Sequence, residues 1–134
     1  MSIRARHLRN MATGIKPYEL RKTRPRDAGE YRVVLCVSGR SGAIDAEFTC
    51  RAFADMRYAD ATRIAQLGCI TAAEATEYRL KGRAGLYGWK VEDFRRLDGE
   101  GLHITDFGLD RAPQSWCYAR TEPDGRGEAG RHAG

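Results

Sequence analysis

Between residues 43 and 53 apolar and polar side chains alternate without a break. Ile44, Ala46, Phe48, Cys50 and Ala52 fall on one side, Asp45, Glu47, Thr49 and Arg51 on the other. A period of two marks a β-strand with one face in a core. Residues 31–37 are rich in apolar and β-branched side chains, and Ser38-Gly39-Arg40-Ser41-Gly42 supplies turn chemistry between the two, so the pair reads as a hairpin. Strand periodicity returns over residues 86–97, with Tyr87, Trp89 and Val91 on the core-facing side. A slip at Glu92-Asp93 predicts a bulge that turns Phe94 inward and helps the sheet curl.

Helical patterns lie around these strands. Over residues 4–13, Ala5, Leu8, Met11 and Ala12 share one stripe, leaving Arg6, His7, Arg9 and Asn10 elsewhere, and Gly14 follows as a left-handed cap. Asp60 caps a short helix carrying Ala61, Ile64 and Ala65 that ends at Gly68. Thr71 and Glu74 form a capping box for a second helix reaching about Leu80, with Gly82 as its stop. The glycine-punctuated stretch 98–110 reads as a surface loop, and residues 114–119 as a last apolar strand. Beyond residue 120 the chain is polar and glycine-rich, which predicts one domain over 1–120 and a disordered tail over 121–134.

The 134 residues suffice for a single core. The longest wholly apolar run, 33–37, is far short of the ~20 residues that cross a bilayer. The amino end has arginines but no apolar signal core, so the expectation is a soluble, cytoplasmic protein with no membrane partner. Cys36, Cys50, Cys69 and Cys117 are widely spaced inside apolar stretches and read as buried thiols, with neither a metal nor another cofactor implied. The net charge of +5 is uneven. Residues 1–26 hold eight lysines and arginines against Glu19 alone, while the remainder holds 15 basic and 17 acidic residues. Such a localised field attracts a phosphate-bearing partner or forms a solvated basic face.

Chemistry concentrates at residues 14–21, Gly-Ile-Lys-Pro-Tyr-Glu-Leu-Arg. Spacing of two puts Glu19 and Arg21 on one strand face, and the turn at Gly14 and Pro17 is needed to bring Lys16 to them. In one reading Lys16 is a base or cationic anchor, Glu19 holds it or accepts a proton, and Arg21 grips a phosphate or carbonyl oxygen. In the other, Glu19 and Arg21 fasten a strand while Lys16 is solvated. A carboxylate beside Lys16 favours a binding cation over a free base. Arg6, Arg9 and Lys22 are phosphate contacts or solubilising charge. Gln114 and Ser115 read a base edge, with Trp116 and Tyr118 stacking, or the string is a closing strand with its rings in the core.

The strings GIKPYELRKTRP, AIDAEFTC at 43–50 and RAPQSWCYA at 111–119, in this order, resemble the ASCH family over about residues 1–120, most closely its short phage-type members. The resemblance implies an α+β fold: a curled, mostly antiparallel PUA-like β-barrel with two or three short helices and a cleft lined by the signature. It also implies RNA or nucleotide binding, RNA cleavage, or amide hydrolysis of acylated cytidines. Lys16 carries over from the amidohydrolase members, but their threonine three residues later is Glu19 here. Glu47 and Glu74 both stand as positions for their acidic partner. The cysteine-rich insertion of some phage-type members is absent. A domain that binds RNA or a nucleotide, using Lys16 and Arg21 for charge and the first helix for backbone phosphates, is the leading expectation. A metal-independent hydrolase centred on Lys16, Glu19 and Arg21 is the alternative. A module for a host or phage protein partner is the third.

Overall fold

The computed structural model describes residues 1–81 and 85–120. The expected stop at Gly82 and the tail over 121–134 lie outside them. The elements are β1 (Ser2–Ile3), α1 (Ala5–Ala12), β2 (Tyr18–Arg21), β3 (Tyr31–Val37), β4 (Ile44–Cys50), β5 (Phe53–Asp55), α2 (Ala61–Gly68), α3 (Ala72–Lys81), β6 (Tyr87–Lys90) and β7 (Glu92–Arg96). A 3-10 turn at Ile104–Phe107 completes the described set.

The strands form two sheets, ordered β1-β3-β4-β7 and β2-β6-β5. β3 and β4 make the expected hairpin, pairing Val33 with Phe48 and Leu35 with Ala46. The long alternating run does not stay in one sheet. β4 ends at Cys50, Ala52 is exposed, and the chain enters the second sheet as β5. The 86–97 stretch likewise breaks at Val91, with β6 in one sheet and β7 in the other. The anticipated irregularity is present: Asp93 has φ 51°, and the β4–β7 register shifts between Glu47 and Thr49. Phe94 packs against the central core.

The fold is α+β, but its sheets do not close into the expected barrel. Residues 114–119 lie beside β1 without joining a sheet. The Ser115 carbonyl accepts from Ser2 N–H at 2.9 Å, and the Ser2 carbonyl accepts from the Arg21 guanidinium at 2.8 Å. β1 pairs in parallel with β3, Ser2 opposite Cys36.

Three apolar clusters hold these layers. The central one joins Leu8 and Met11 of α1 to Val33, Leu35, Phe48 and Trp89; Ala5 and Ala12 of the expected stripe stay exposed. Leu20, Met56, Ile64, Ala75 and Leu86 seat α2 and α3 on the second sheet. The third cluster lies where a surface loop was expected: Ile104 and Phe107 of the 3-10 turn cover Val34, Cys36 and Ile44. β3 is thus buried on both faces, as its unbroken apolar run suggests. Both helix caps form as read: Asp60 accepts from Arg63 N–H at 2.8 Å, and Thr71 and Glu74 exchange bonds of 3.0 and 3.1 Å. Gly68 is the last residue of α2, and Cys69 takes the left-handed position after it.

Truncating Phe107 to alanine removes a side chain that is 1% exposed. The expected loss is about 3–5 kcal/mol of unfolding free energy, read from urea denaturation. A change below ~1 kcal/mol would mean that the 98–110 segment is the surface loop its composition suggests.

Candidate functional site

The signature folds through a reversal at its start. Gly14, at φ 79°, follows α1, and the N–H groups of Ile15 and Lys16 both donate to the Asn10 carbonyl at 3.1 Å. Glycine adopts this left-handed conformation at no steric cost. The reversal sends the Lys16 side chain inward, where Lys16 is 2% exposed and Glu19 4%.

The Lys16 ammonium donates to the Gly68 carbonyl and lies 3.3 Å from Glu19 Oε1. The close approach of α2 makes this possible, since a Cβ on Gly68 would come within 2.5 Å of Leu20 Cδ1. Glu19 Oε2 accepts from Arg21 Nη2 at 2.6 Å and Nε at 3.2 Å. Arg21 continues outward, Nη1 donating to Ser115 Oγ at 3.0 Å and Nη2 to the Ser2 carbonyl at 2.8 Å. Burial alone would raise the Glu19 carboxyl, but the Arg21 and Lys16 charges outweigh it and hold it below the usual carboxylate range.

These residues floor a cleft of about 730 Å³ between α1, α3 and the end of β2. Glu19 and Arg21 line it, whereas Lys16 lies behind them. Arg6 and Glu74 meet across it in a two-point ion pair, with Arg6 Nη1 3.2 Å from Glu74 Oε1. The Arg6 guanidinium holds the Glu74 carboxyl down, to about 2. Lys22 stands exposed on the rim, and Gln114 and Ser115 also line the cleft. Arg9 is exposed and does not line the cleft. Of the two acidic positions left open, Glu74 lines the cleft; Glu47 bonds Arg32 and Arg95 on the first sheet. Trp116 and Tyr118 stack edge-on outside the cleft, Trp116 against the core ring of Trp89 at 5.2 Å. No group of three or more His, Cys, Asp or Glu suited to a metal occurs among the described residues. Cys36 and Cys50 are buried; Cys69 and Cys117 are half-buried.

Arg4, His7 and Tyr78 also line the cleft and were not anticipated there. Tyr78 lies four residues beyond Glu74, one helical turn, and that spacing was a usable signal. His7 had none, because its position depends on how α1 packs. Its Nδ1 is enclosed without a hydrogen-bond partner. Burial, then the charge of Lys16, pushes His7 below the ordinary histidine value, with Glu19 and Glu74 opposing and Arg6 assisting.

No protein-family model and no curated protein matches the sequence. Solved structures do. The crystal structure of ASCH from Zymomonas mobilis superposes with a TM-score of 0.63 at 15% identity, covering 85% of this chain and 81% of that one. A Tyr→Phe variant of the same protein superposes with a TM-score of 0.63 at 14% identity, covering 85% and 84%, and a Ser→Ala variant does so at 14%. The chain therefore has an ASCH-type fold.

Replacing Glu19 by Gln leaves Lys16 and Arg21 facing each other without a buried carboxylate. The expected cost is about 3–5 kcal/mol in urea unfolding, and an unchanged midpoint would remove the ion triple from the fold's supports. Acid should act in overlapping steps, because burial also lowers the Met1 amino group to about 4, so that its contribution declines below about 8. His7 binds its proton more weakly folded than unfolded, so its contribution is complete above about 6.5 and declines below it. Glu19 contributes fully above about 4.3 and loses its contribution as pH falls through its depressed folded value. His7→Gln should remove the His7 share of the decline below about 6.5 and leave the Met1 and Glu19 shares; an identical pH profile for the variant would show that His7 does not titrate with folding.

Proposed function

We propose that the cleft binds RNA or a nucleotide through phosphate contacts at its rim and a base in its interior. The observation that carries this reading is a pair of cations. Arg4 and Lys22 line the cleft and carry no ion pair among the described residues, while Glu19, Glu74 and Glu77 on its walls are all paired. The cleft thus presents uncompensated positive charge where a phosphate can reach it. The Tyr78 ring offers a stacking face, and Gln114 and Ser115 offer polar groups for a base edge. Lys16 and Arg21 act indirectly in this reading, holding the floor in shape.

Binding of labelled single-stranded RNA should weaken as salt rises, and Arg4→Ala with Lys22→Ala should lower the logarithmic salt slope by about 0.7 per lost phosphate contact. Salt-independent affinity, or a variant indistinguishable from the parent, would defeat the proposal.

A second reading is a metal-independent hydrolase. It is favoured by the hydrogen-bonded chain from Glu19 through Arg21 to the Ser115 hydroxyl, which ends in the cleft. With EDTA present, mass spectrometry of RNA and of N4-acylated cytidines after incubation should show products with the parent protein and none with Ser115→Ala. Equal product from both would clear Ser115 of that role.

A further inference from the structure

A second cavity of about 500 Å³ adjoins the cleft. Ser2, Ser38 and Gln114 line both. Ser38 and Gln114 are exposed, so the residues shared by the two hollows are open to a ligand that extends from one to the other. Ser2 is held in place, its hydroxyl donating to the Pro113 carbonyl at 2.5 Å.

The far cavity is lined by a hydrogen-bonded wall, two arginines and one aspartate. His103 uses both ring nitrogens, 2.7 Å from the Ser41 carbonyl and 3.1 Å from Thr105 Oγ1, which ties the 38–42 loop to the 3-10 turn. Gly42 at φ 84° permits that contact, because a Cβ there would lie 2.8 Å from His103 Nε2. Gly39 faces open space, with nothing within 4 Å of a Cβ position, so a ligand backbone can come close to the loop. Arg40 is anchored 3.5 Å from the buried Asp45 carboxylate while its side chain stays 59% exposed. Arg111 lines the same cavity, beside Asp110.

The pattern along the trough is a cationic rim, polar residues shared by the two hollows, and a far wall with two arginines, Arg40 paired to Asp45 and Arg111 beside the lining carboxylate of Asp110. A ligand that repeats charge with polar groups between matches it, and a single phosphate or a nucleoside does not fill it. We propose that the two hollows are consecutive subsites for one single-stranded RNA. The signature cleft takes one nucleotide, and the second cavity takes its neighbour, with the intervening backbone over Ser38 and Gln114 and a phosphate against Arg40 and Arg111. This rests on the reading of the cleft as a nucleotide site and adds to it a minimum ligand length and a direction of travel. Grooves that track a nucleic-acid backbone gain affinity with each phosphate they contact.

The test compares 5′-CMP with 5′-phosphorylated cytidine oligonucleotides of two and four residues, in competition with a labelled RNA, on the parent, Arg40→Ala/Arg111→Ala and Arg111→Ala alone. The parent should bind the dinucleotide about tenfold tighter than CMP, the size of one charge-assisted contact. The double variant should lose that advantage while keeping its affinity for CMP, and Arg111→Ala, which leaves the Asp45 pair intact, should lose part of it. Equal affinity for CMP and the oligonucleotides in the parent, or a length advantage that survives both variants, would overturn the second subsite and leave the first standing. Absence of binding by every nucleotide probe would instead defeat the cleft reading on which this one is built. An oligoglutamate peptide that competes as well as RNA and depends on Arg40 and Arg111 would assign the trough to an acidic protein segment and overturn the proposal.

Discussion

The structure depends on one carboxylate. Glu19 is enclosed, and its two oxygens are divided between Lys16 and Arg21. A buried charge is tolerated only when partners replace the water it has lost, and an unpaired one costs several kcal/mol. Each of the two cations is itself satisfied by a backbone carbonyl, Gly68 for Lys16 and Ser2 for Arg21. Through three side chains the charge network joins β2, the end of α2, β1 and the carboxy-terminal segment at Ser115. Loss of the carboxylate would leave two like charges in the same enclosure, so these contacts stand or fall together.

The same network borders the 114–119 segment, which lies beside β1 but forms no strand. Arg21 occupies the Ser2 carbonyl, and Trp116 turns inward toward Trp89 with its indole donating to Thr23 Oγ1 at 2.9 Å. The segment is therefore held by side chains and not by a ladder. It borders the cleft, which Gln114 and Ser115 line. Arg21 serves both, bonded to Ser115 and lining the cleft.

Much of the local structure was legible because it follows from short-range chemistry. The β3–β4 hairpin, the Asp60 cap, the Thr71–Glu74 capping box, the reversal after α1 and the bulge at Asp93 all arise within a few residues of the side chains that cause them. The core role of Trp89 was legible too, from its place in an alternating strand. The failures share a different cause. Where the chain changes sheets, at Ala52 and Val91, the alternation slips by one residue, at Ala52-Phe53 and at Glu92-Asp93, and a slip reads equally as a bulge within one sheet, so periodicity does not show the switch. The 3-10 turn hides two buried residues among glycines, and β1 is too short to carry a pattern.

For the site, the residues alone determined that Glu19 and Arg21 share a face, that Gly14 must turn the chain if Lys16 is to join them, and that positive charge gathers at the amino end. Those statements need only backbone periodicity, the conformational freedom of glycine and a count of charges. Which cations face the cleft was decided by tertiary structure. Lys16 and Arg21 are consumed by Glu19, Arg6 is consumed by Glu74 from a helix nearly seventy residues away, and Arg4 and Lys22 are left open. Pairing depends on distances between elements that are remote in the chain, and a linear pattern holds no information on them until the core has packed.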